Sequence, residues 1–354
     1  VAYAQKFKEV MSVIERRIRR GDYLLRPIPS ERKIAEETGV SHMTARKAVR
    51  ALIDQKVLVR GTTGALSISS TYKADVGPVQ VLLLYPAFPS AYLSELYQAV
   101  SNAAEAYGLR TRPVPYVHWD DPIVITSMSN RGGVIIIPSS PDVPLYILQA
   151  IRDNRVVSLD ADLSHLGVPS ILLFSDAHIF KVFTHLQQLG HRRIDCISSH
   201  DHNAVIDRRI QLWRDWSTRR GLLGELHENP APSFSDPTPY AYEEMHQLLQ
   251  RGPLQASAFV ATTFPAAVGA MRACRDHGLT VGTDVSVCTI NIEFPARFMA
   301  PSLTGLDTPD FSRLLGYCFD WFAGNQEWKH PGRLEPARAR FFEGESTGRA
   351  ATTR

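Results

Sequence analysis

The chain has 354 residues, of which 44% are apolar and 21% charged, with a formal net charge of +3. That length supports two or three domains with proper cores. No apolar run reaches the roughly 18 residues that a membrane span needs, and no charged-then-apolar leader opens the chain, so a soluble cytoplasmic protein is expected.

Cys196, Cys274, Cys288 and Cys318 are widely separated and form no Cys-x-x-Cys pair. They read as buried free thiols rather than as a metal site. Residues 1–70 hold fourteen Lys or Arg against seven Asp or Glu, a balance of +7 that leaves −4 for residues 71–354. Positive charge is thus concentrated at the amino end, where counterion release favours binding to a polyanion.

Taken in chain order, Phe7, Val10, Met11, Ile14 and Ile18 recur at helical spacing, opposite Arg16, Arg17, Arg19 and Arg20, until Gly21-Asp22-Tyr23 ends the helix. From Ile28 to Ile53 the pattern is two short helices joined by a tight turn. Ser30 and Ser41 each precede an apolar helical repeat and each can cap a first turn. Gly39 supplies the turn, Val40 points inward, and Ile34, Ala35, Ala45, Val49, Leu52 and Ile53 form one buried stripe. The opposite face of the second helix carries Thr44, Arg46, Lys47 and Arg50. A helix about 10–12 Å across fits a major groove roughly 12 Å wide, so first-turn side chains reach base edges while flanking cations neutralise phosphates. Val57-Leu58-Val59-Arg60 and Ala65-Leu66-Ser67-Ile68 read as short strands around Gly61-Thr62-Thr63-Gly64, a hairpin that forms a wing.

The ordered pattern Gly-x-Tyr, Pro-Ser-Glu-Arg, Gly-Val-Ser, Thr-x-Arg and a Gly-containing wing resembles the winged helix-turn-helix domain of the GntR family over residues 5–69. The resemblance implies a sequence-specific, DNA-binding transcriptional regulator. By position it makes Arg32 a phosphate or base contact at the start of the second helix. Ser41, His42, Met43 and Thr44 begin the recognition helix, Arg46 contacts a base or phosphate with Lys47 and Arg50 beside it, and Arg60, Gly61, Thr62, Thr63 and Gly64 lie near the minor groove. The family usually has arginine where this chain has His42, and imidazole cannot make the bidentate pair to guanine that a guanidinium makes. Either base readout is altered there, or His42 meets a phosphate or solvent. Met43 offers only apolar contact, for instance to a thymine methyl.

Ser, Thr, Gly and Pro interrupt the apolar patterning near Ser69 to Pro78, which divides the chain into a reader over residues 1–70, a linker over 71–78 and a larger body from residue 79, expected to span 79–347 with a tail over 348–354 on the resemblance given below. Continuous apolar runs then appear at Val79–Leu84, Gly133–Ile137, Arg155–Leu159, Ile194–Ser198, Ala258–Ala261 and Val285–Ile290. Helical patterns lie between most of them, at Leu93–Tyr107, Leu145–Asp153, Ile179–Leu189, Ile210–Arg220, Tyr240–Gln250 and Ala266–His277. Such strands are buried on both faces, as in parallel sheets flanked by helices, and two successive sets give an α/β body of two lobes.

Within that body, Gly133-Val134-Ile135-Ile136-Ile137-Pro138, the segment Leu189-Gly190-His191-Arg192-Arg193-Ile194, the run Gly278 to Val287, and Glu345-Ser346-Thr347 resemble the periplasmic-binding-protein-like sensor domain of the LacI/GalR repressors over residues 79–347. Joined to the reader, this is similar to the subfamily that contains the arabinose-responsive repressors. The resemblance implies a homodimer on a palindromic operator, probed by a small molecule held between lobes at the carboxyl ends of strands. Arg209 is the expected clamp for a hydroxyl or carboxylate. Phe88, Ser90 and Tyr92 follow the first strand, Ser139 the next, and Asp307 lies in the last crossover, all candidate cleft contacts, while Thr262 and Asn291 stand within segments where the family places further contacts. Thr262-Thr263 replaces the family's Asn-Asp, and Thr289-Ile290-Asn291-Ile292 replaces its Gly-Phe-Asp-Asp, so several sugar-gripping carboxylates are absent. The effector is therefore expected to be atypical, or absent. In the latter case the sensor serves only dimerisation or solute binding. Trp119, Trp213 and Trp216 read either as core or as ring-stacking surfaces.

No phosphate-loop, nucleophile-elbow or His-Glu-x-x-His motif is present. Beyond the reader only Lys73, Lys181 and Lys329 remain, none in a Schiff-base context, which argues against an aminotransferase-like sensor. No enzyme activity, metal or cofactor is expected.

Overall fold

Side-chain caps set the boundaries of the amino-terminal helices. In the computed structural model, which describes the chain except residues 1, 21, 24–26, 62–63, 70–71, 73–79, 89, 131, 141, 329–331 and 351–354, helix α1 spans Ala2–Arg20, α2 Glu31–Thr38 and α3 His42–Asp54. The Ser30 hydroxyl accepts from Lys33 N at 3.4 Å and the Ser41 hydroxyl from Thr44 N at 3.2 Å, satisfying amides that a first helical turn leaves free. Gly39 closes α2 at φ 65°, a left-handed conformation open to glycine, and Val40 N returns to Ala35 O at 3.1 Å. Strands β1 (Leu58–Arg60) and β2 (Leu66–Ile68) pair antiparallel with Leu58 opposite Ile68. Val10, Ile14, Ile34, Ala45, Val49, Leu52, Leu58 and Leu66 meet in one core. The anticipated three helices and hairpin are all present. The expected linker falls almost wholly outside the described residues, as does Gly21.

The chain divides into two units, residues 1–80 with 108–110, and residues 81–107 with 111–354. The larger unit contains two six-stranded sheets. Its first sheet has the order β13-β7-β6-β5-β3-β4, built from β3 (Gln80–Pro86), β4 (Arg110–Tyr116), β5 (Val134–Ile136), β6 (Val156–Leu159), β7 (Ser170–Ile171) and, returning late, β13 (Arg333–Leu334). Helices α4 (Ala91–Ala106), α5 (Pro122–Met128) and α6 (Leu145–Arg152) are interleaved with it. The second has the order β14-β12-β11-β10-β8-β9, from β8 (Ile194–Ser198), β9 (Leu226–Glu228), β10 (Ala258–Ala261), β11 (Ser286–Asn291), β12 (Thr304–Leu306) and β14 (Phe341–Phe342). With it go α7 (Asp176–Gln188), α8 (Ala204–Arg219), α9 (Thr238–Gln250) and α10 (Phe264–Asp276), while α11 (Ser312–Ala323) packs against α4.

Strands β3, β5, β6 and β7 pair in parallel, as do β9, β8, β10, β11 and β12. Strands β3, β5, β6, β8, β10 and β11 are buried along nearly all their length, which is why they read as largely apolar runs. Because β13 rejoins the first sheet and β14 the second, the chain passes between lobes three times, after β7, β12 and β13. The four cysteines are free and buried. His191 is also buried, bonded to Ser257 at 2.8 Å and to Ser286 and the Gly348 carbonyl at 3.1 and 3.0 Å, so it ties β11 to the chain end.

Helices α9 and α10 cross so closely at Gly269 that a Cβ there would lie 2.3 Å from Thr238 O and 2.7 Å from Tyr242 N. Alanine is the better helix former by about 1 kcal/mol, so a net loss in Gly269→Ala reports the crossing alone. Urea unfolding should show the variant less stable by about 1–3 kcal/mol, with an unchanged denaturant slope.

Candidate functional site

In the smaller unit, the amino end of α3 projects Met43, 64% exposed, with His42, Arg46, Lys47 and Arg50 also exposed, and Arg32 exposed at the start of α2. Arg32, Arg46 and Arg50 have no ion-pair partner among the described residues, whereas Lys47 Nζ sits 5.6 Å from the centre of the Phe7 ring. Thr44 corrects the expectation of a reading side chain. It is buried at 4% exposure, with Oγ1 2.8 Å from the Ser41 hydroxyl, because position 44 falls on the core side of the helix beside Ala45 and Ala48. Ser41 is exposed, but its hydroxyl is spent on the cap.

An acid not anticipated from the sequence stands among these cations. Glu31, at the first turn of α2, holds the Arg60 guanidinium in an ion pair and lies 3.9 Å from His42 Nε2. Arg60 also donates to Gly64 O at 3.3 Å, and Gly61 N donates to Ala65 O at 2.8 Å, so the base of the wing is held by its own backbone. Thr62 and Thr63 lie outside the described residues.

The larger unit has a cleft between its lobes, walled by residues at the carboxyl ends of the parallel strands, where side chains from successive crossovers converge. A deep chamber of about 120 Å³ is lined by Phe88, Ser90, Tyr92, Ser139, Asp160, His200, Asn203, Arg209, Thr263, Asn291 and Glu293. An outer chamber of about 520 Å³ shares Pro86, Phe88, Ser139, His200 and Asn203 with it and adds His118, Trp119, Tyr146 and Phe234. Trp119 is therefore a wall, with its indole N–H donating to Ser140 Oγ at 3.1 Å, whereas Trp213 and Trp216 are core.

Arg209, on the first turns of α8, is buried, and Nη1 donates to Thr262 O at 2.6 Å and to Asn291 Oδ1 at 2.7 Å. Opposite, from the first lobe, Tyr92 OH donates to Asp160 Oδ2 at 2.8 Å. Burial pushes the Asp160 carboxyl up, while Arg209 and the Tyr92 hydroxyl pull it back. Asp160 follows β6 with φ 69°, and Phe234 has φ 68°, so two of the three left-handed non-glycine residues among those described line this cleft. Burial and the nearby Arg209 push His200 down to about 4, which keeps it neutral near pH 7, with Nδ1 3.0 Å from Thr263 Oγ1. Glu293 is pushed up to about 7 by burial and by the like charges of Glu95 and Asp236.

Phe88, Ser90, Tyr92, Ser139, Arg209 and Asn291 thus come together in one chamber. Thr262 and Asp307 do not. Thr262 is fully buried behind the wall, its carbonyl holding Arg209 and its hydroxyl donating to Ser198 Oγ at 3.0 Å, and its neighbour Thr263 lines the chamber instead. Asp307 sits on the crossing after β12, ion-paired with Arg297 and 3.7 Å from Arg340 Nε, so it braces two interlobe segments. The family's carboxylate positions at Thr262-Thr263 and Thr289 to Ile292 do lack acids, but two carboxylates reach the chamber from elsewhere. Asp160 and Glu293 enter the chamber from positions not singled out in the sequence.

Two outcomes follow for single acids. Glu31→Gln frees Arg60 and His42, so the full chain should bind non-cognate duplex more tightly, with a salt dependence steeper by about one counterion in fluorescence titrations. Between pH 4.5 and about 7 the folded chain keeps a proton on Glu293 that the unfolded chain has released, so this favourable contribution is fully present below 4.5 and is lost as pH rises through about 7, where the carboxylate ionises. Glu293→Gln should therefore raise the melting temperature at pH 8 by about 3 °C or more, and by clearly less at pH 5.5.

Two family models match the chain, "Bacterial regulatory proteins, gntR family" over residues 6–66 and "Periplasmic binding protein-like domain" over residues 183–310. No curated protein matches it significantly. Among solved structures, a LacI family transcriptional regulator from Bifidobacterium animalis subsp. lactis superposes with a TM-score of 0.65 at 17% identity, covering 77% of this chain and 98% of that one. A LacI family regulator from Arthrobacter sp. FB24 in complex with lactose gives 0.64 at 15% identity, covering 76% and 99%. One from Enterococcus faecium with bound ribose gives 0.62 at 16%, covering 77% and 99%. At such identities the likeness is one of fold. No helix among the described residues is long and apolar enough to cross a membrane. The chain is a regulator that joins a gntR-family DNA-binding domain to a periplasmic-binding-protein-like domain of the LacI fold.

Proposed function

We propose that the protein is a cytoplasmic, non-enzymatic repressor that binds a palindromic operator as a homodimer and is controlled by a small molecule in the interlobe cleft. Exposed Arg46, Arg50, His42 and Met43 present the reading surface, Arg32 adds a phosphate contact, and the hairpin serves as the wing. The relatives of like fold carry lactose and ribose in their own structures, which supports a sugar-like effector here.

The observation that carries this reading is the buried guanidinium of Arg209, held by Thr262 O and Asn291, with the Tyr92–Asp160 pair facing the same chamber. Buried ionisable groups cost stability unless something offsets their desolvation. A body that served only dimerisation has no use for them, and this favours a liganded sensor over a purely architectural one. For the effector to act, it must bind one lobe arrangement better than the other, since equal affinity shifts nothing.

The test uses the full chain and the duplex upstream of its own coding sequence. Arg46→Ala should weaken binding by about 1–3 kcal/mol, the worth of a base contact, without changing the melting of the sensor unit. Arg209→Gln should retain DNA binding yet lose any effector-induced release. Unchanged DNA affinity in the first variant would overturn the assignment of the reading face.

A further inference from the structure

Resting on the reading of the cleft as an effector site, the unpaired acid in its deep chamber identifies the effector more closely. We infer that the effector is a polyhydroxylated primary amine of the hexosamine type, whose ammonium pairs with Glu293 while its hydroxyls meet Asp160, Arg209 and Asn291.

Glu293 lies two residues past β11 and is only 6% exposed. It faces the deep chamber, and its carboxylate accepts no hydrogen bond from any described residue. This separates it from the other charged groups on the wall. Arg209 and Asp160 act on one another, and each has a hydrogen-bonded neighbour, Asn291 for the first and Tyr92 for the second. Arg209 is the one permanent cation among the described residues of the chamber, and its field falls on Asp160 and Tyr92 rather than on Glu293. His200 is neutral, and the remaining charges felt at Glu293, those of Glu95 and Asp236, are negative.

The chamber therefore contains a self-compensated region suited to hydroxyls and an uncompensated negative region suited to a cation. A carboxylate largely withdrawn from water, its oxygens open only to the cleft and without a hydrogen-bond partner among the described residues, carries a desolvation cost that a bound ammonium offsets through a charge-assisted hydrogen bond. Glu95 belongs to α4 of the first lobe and accepts from Phe294 N at 2.9 Å, beside Glu293 of the second lobe. An ammonium here is thus attracted by acids from both lobes, so it favours the closed arrangement. The aromatic outer wall, Phe88, Trp119, Tyr146 and Phe234, suits the apolar face of a sugar ring.

Titration calorimetry on the full chain at pH 7 should compare glucosamine, galactosamine and mannosamine with glucose, galactose and mannose and with the three N-acetylated amino sugars. At least one free amine is expected to bind tenfold or more tightly than both its parent hexose and its N-acetyl form. Glu293→Gln, with folding checked by its melting curve, should abolish that preference, and Glu293→Asp should restore part of it. Equal or tighter binding of a neutral sugar overturns the inference but leaves the sensor reading intact. So does a preference that survives in Glu293→Gln. Binding of none of the nine overturns it as well, while the Arg46→Ala titrations still decide the regulator reading independently.

Discussion

Burial of a guanidinium at the floor of the cleft is the constraint on which the rest of the larger unit depends. Arg209 reaches that position from α8 and is held by the carbonyl after β10 and the amide side chain that ends β11. Removing such a charge from water is costly, and two short hydrogen bonds offset only part of that cost. The parallel topology places three strand ends where they can supply partners. Asp160 and Tyr92 bring the opposite charge from the other lobe without closing on Arg209, so space remains for a ligand between them.

The three crossings between lobes give that cleft a means of changing shape. Asp307, on the second, approaches Arg340 of the third and pairs with Arg297 of the β11–β12 connection, and Arg208 pairs with Asp176 and the Phe174 carbonyl next to the first. Ion pairs at moderately exposed hinges contribute little stability individually. Under the proposed function, a ligand that touches Asp160 on one side and Arg209 or Glu293 on the other bridges the two lobes.

In the reading domain the same logic of compensation operates at the surface. Glu31 sits at the positive end of α2, where a carboxylate is favoured, and it draws Arg60 and His42 toward itself. A duplex phosphate approaching the wing competes with that carboxylate. Arg46 and Arg50 face no such competitor among the described residues.

Much of this was legible in the residues themselves. Caps at Ser30 and Ser41, the turn at Gly39 and the apolar repeat are local properties, so the reader's helices and hairpin followed from sequence. Thr44 was misplaced because one helical step separates the core face from the reading face. In the larger unit the long buried strands were evident, whereas β7, β12, β13 and β14 are two or three residues long and carry no periodicity. The edge strand β4 holds two prolines and opens on exposed or half-buried polar residues, and so it resembles a loop. Tyr92, Ser139 and Arg209 were found because each follows a recognisable strand or motif. Asp160, the first residue after the buried run Val156–Leu159, carried the same signal and was overlooked. Sequence by itself determined the classes of element, the cationic reading helix and the two-lobed α/β architecture, since these rest on local periodicity and composition. Tertiary structure alone decided that Thr262 braces while Thr263 faces the chamber, that Asp307 clamps a hinge, and that Glu293 is buried without a partner. Those outcomes depend on which strand ends converge, and that is a property of sheet order rather than of any one segment.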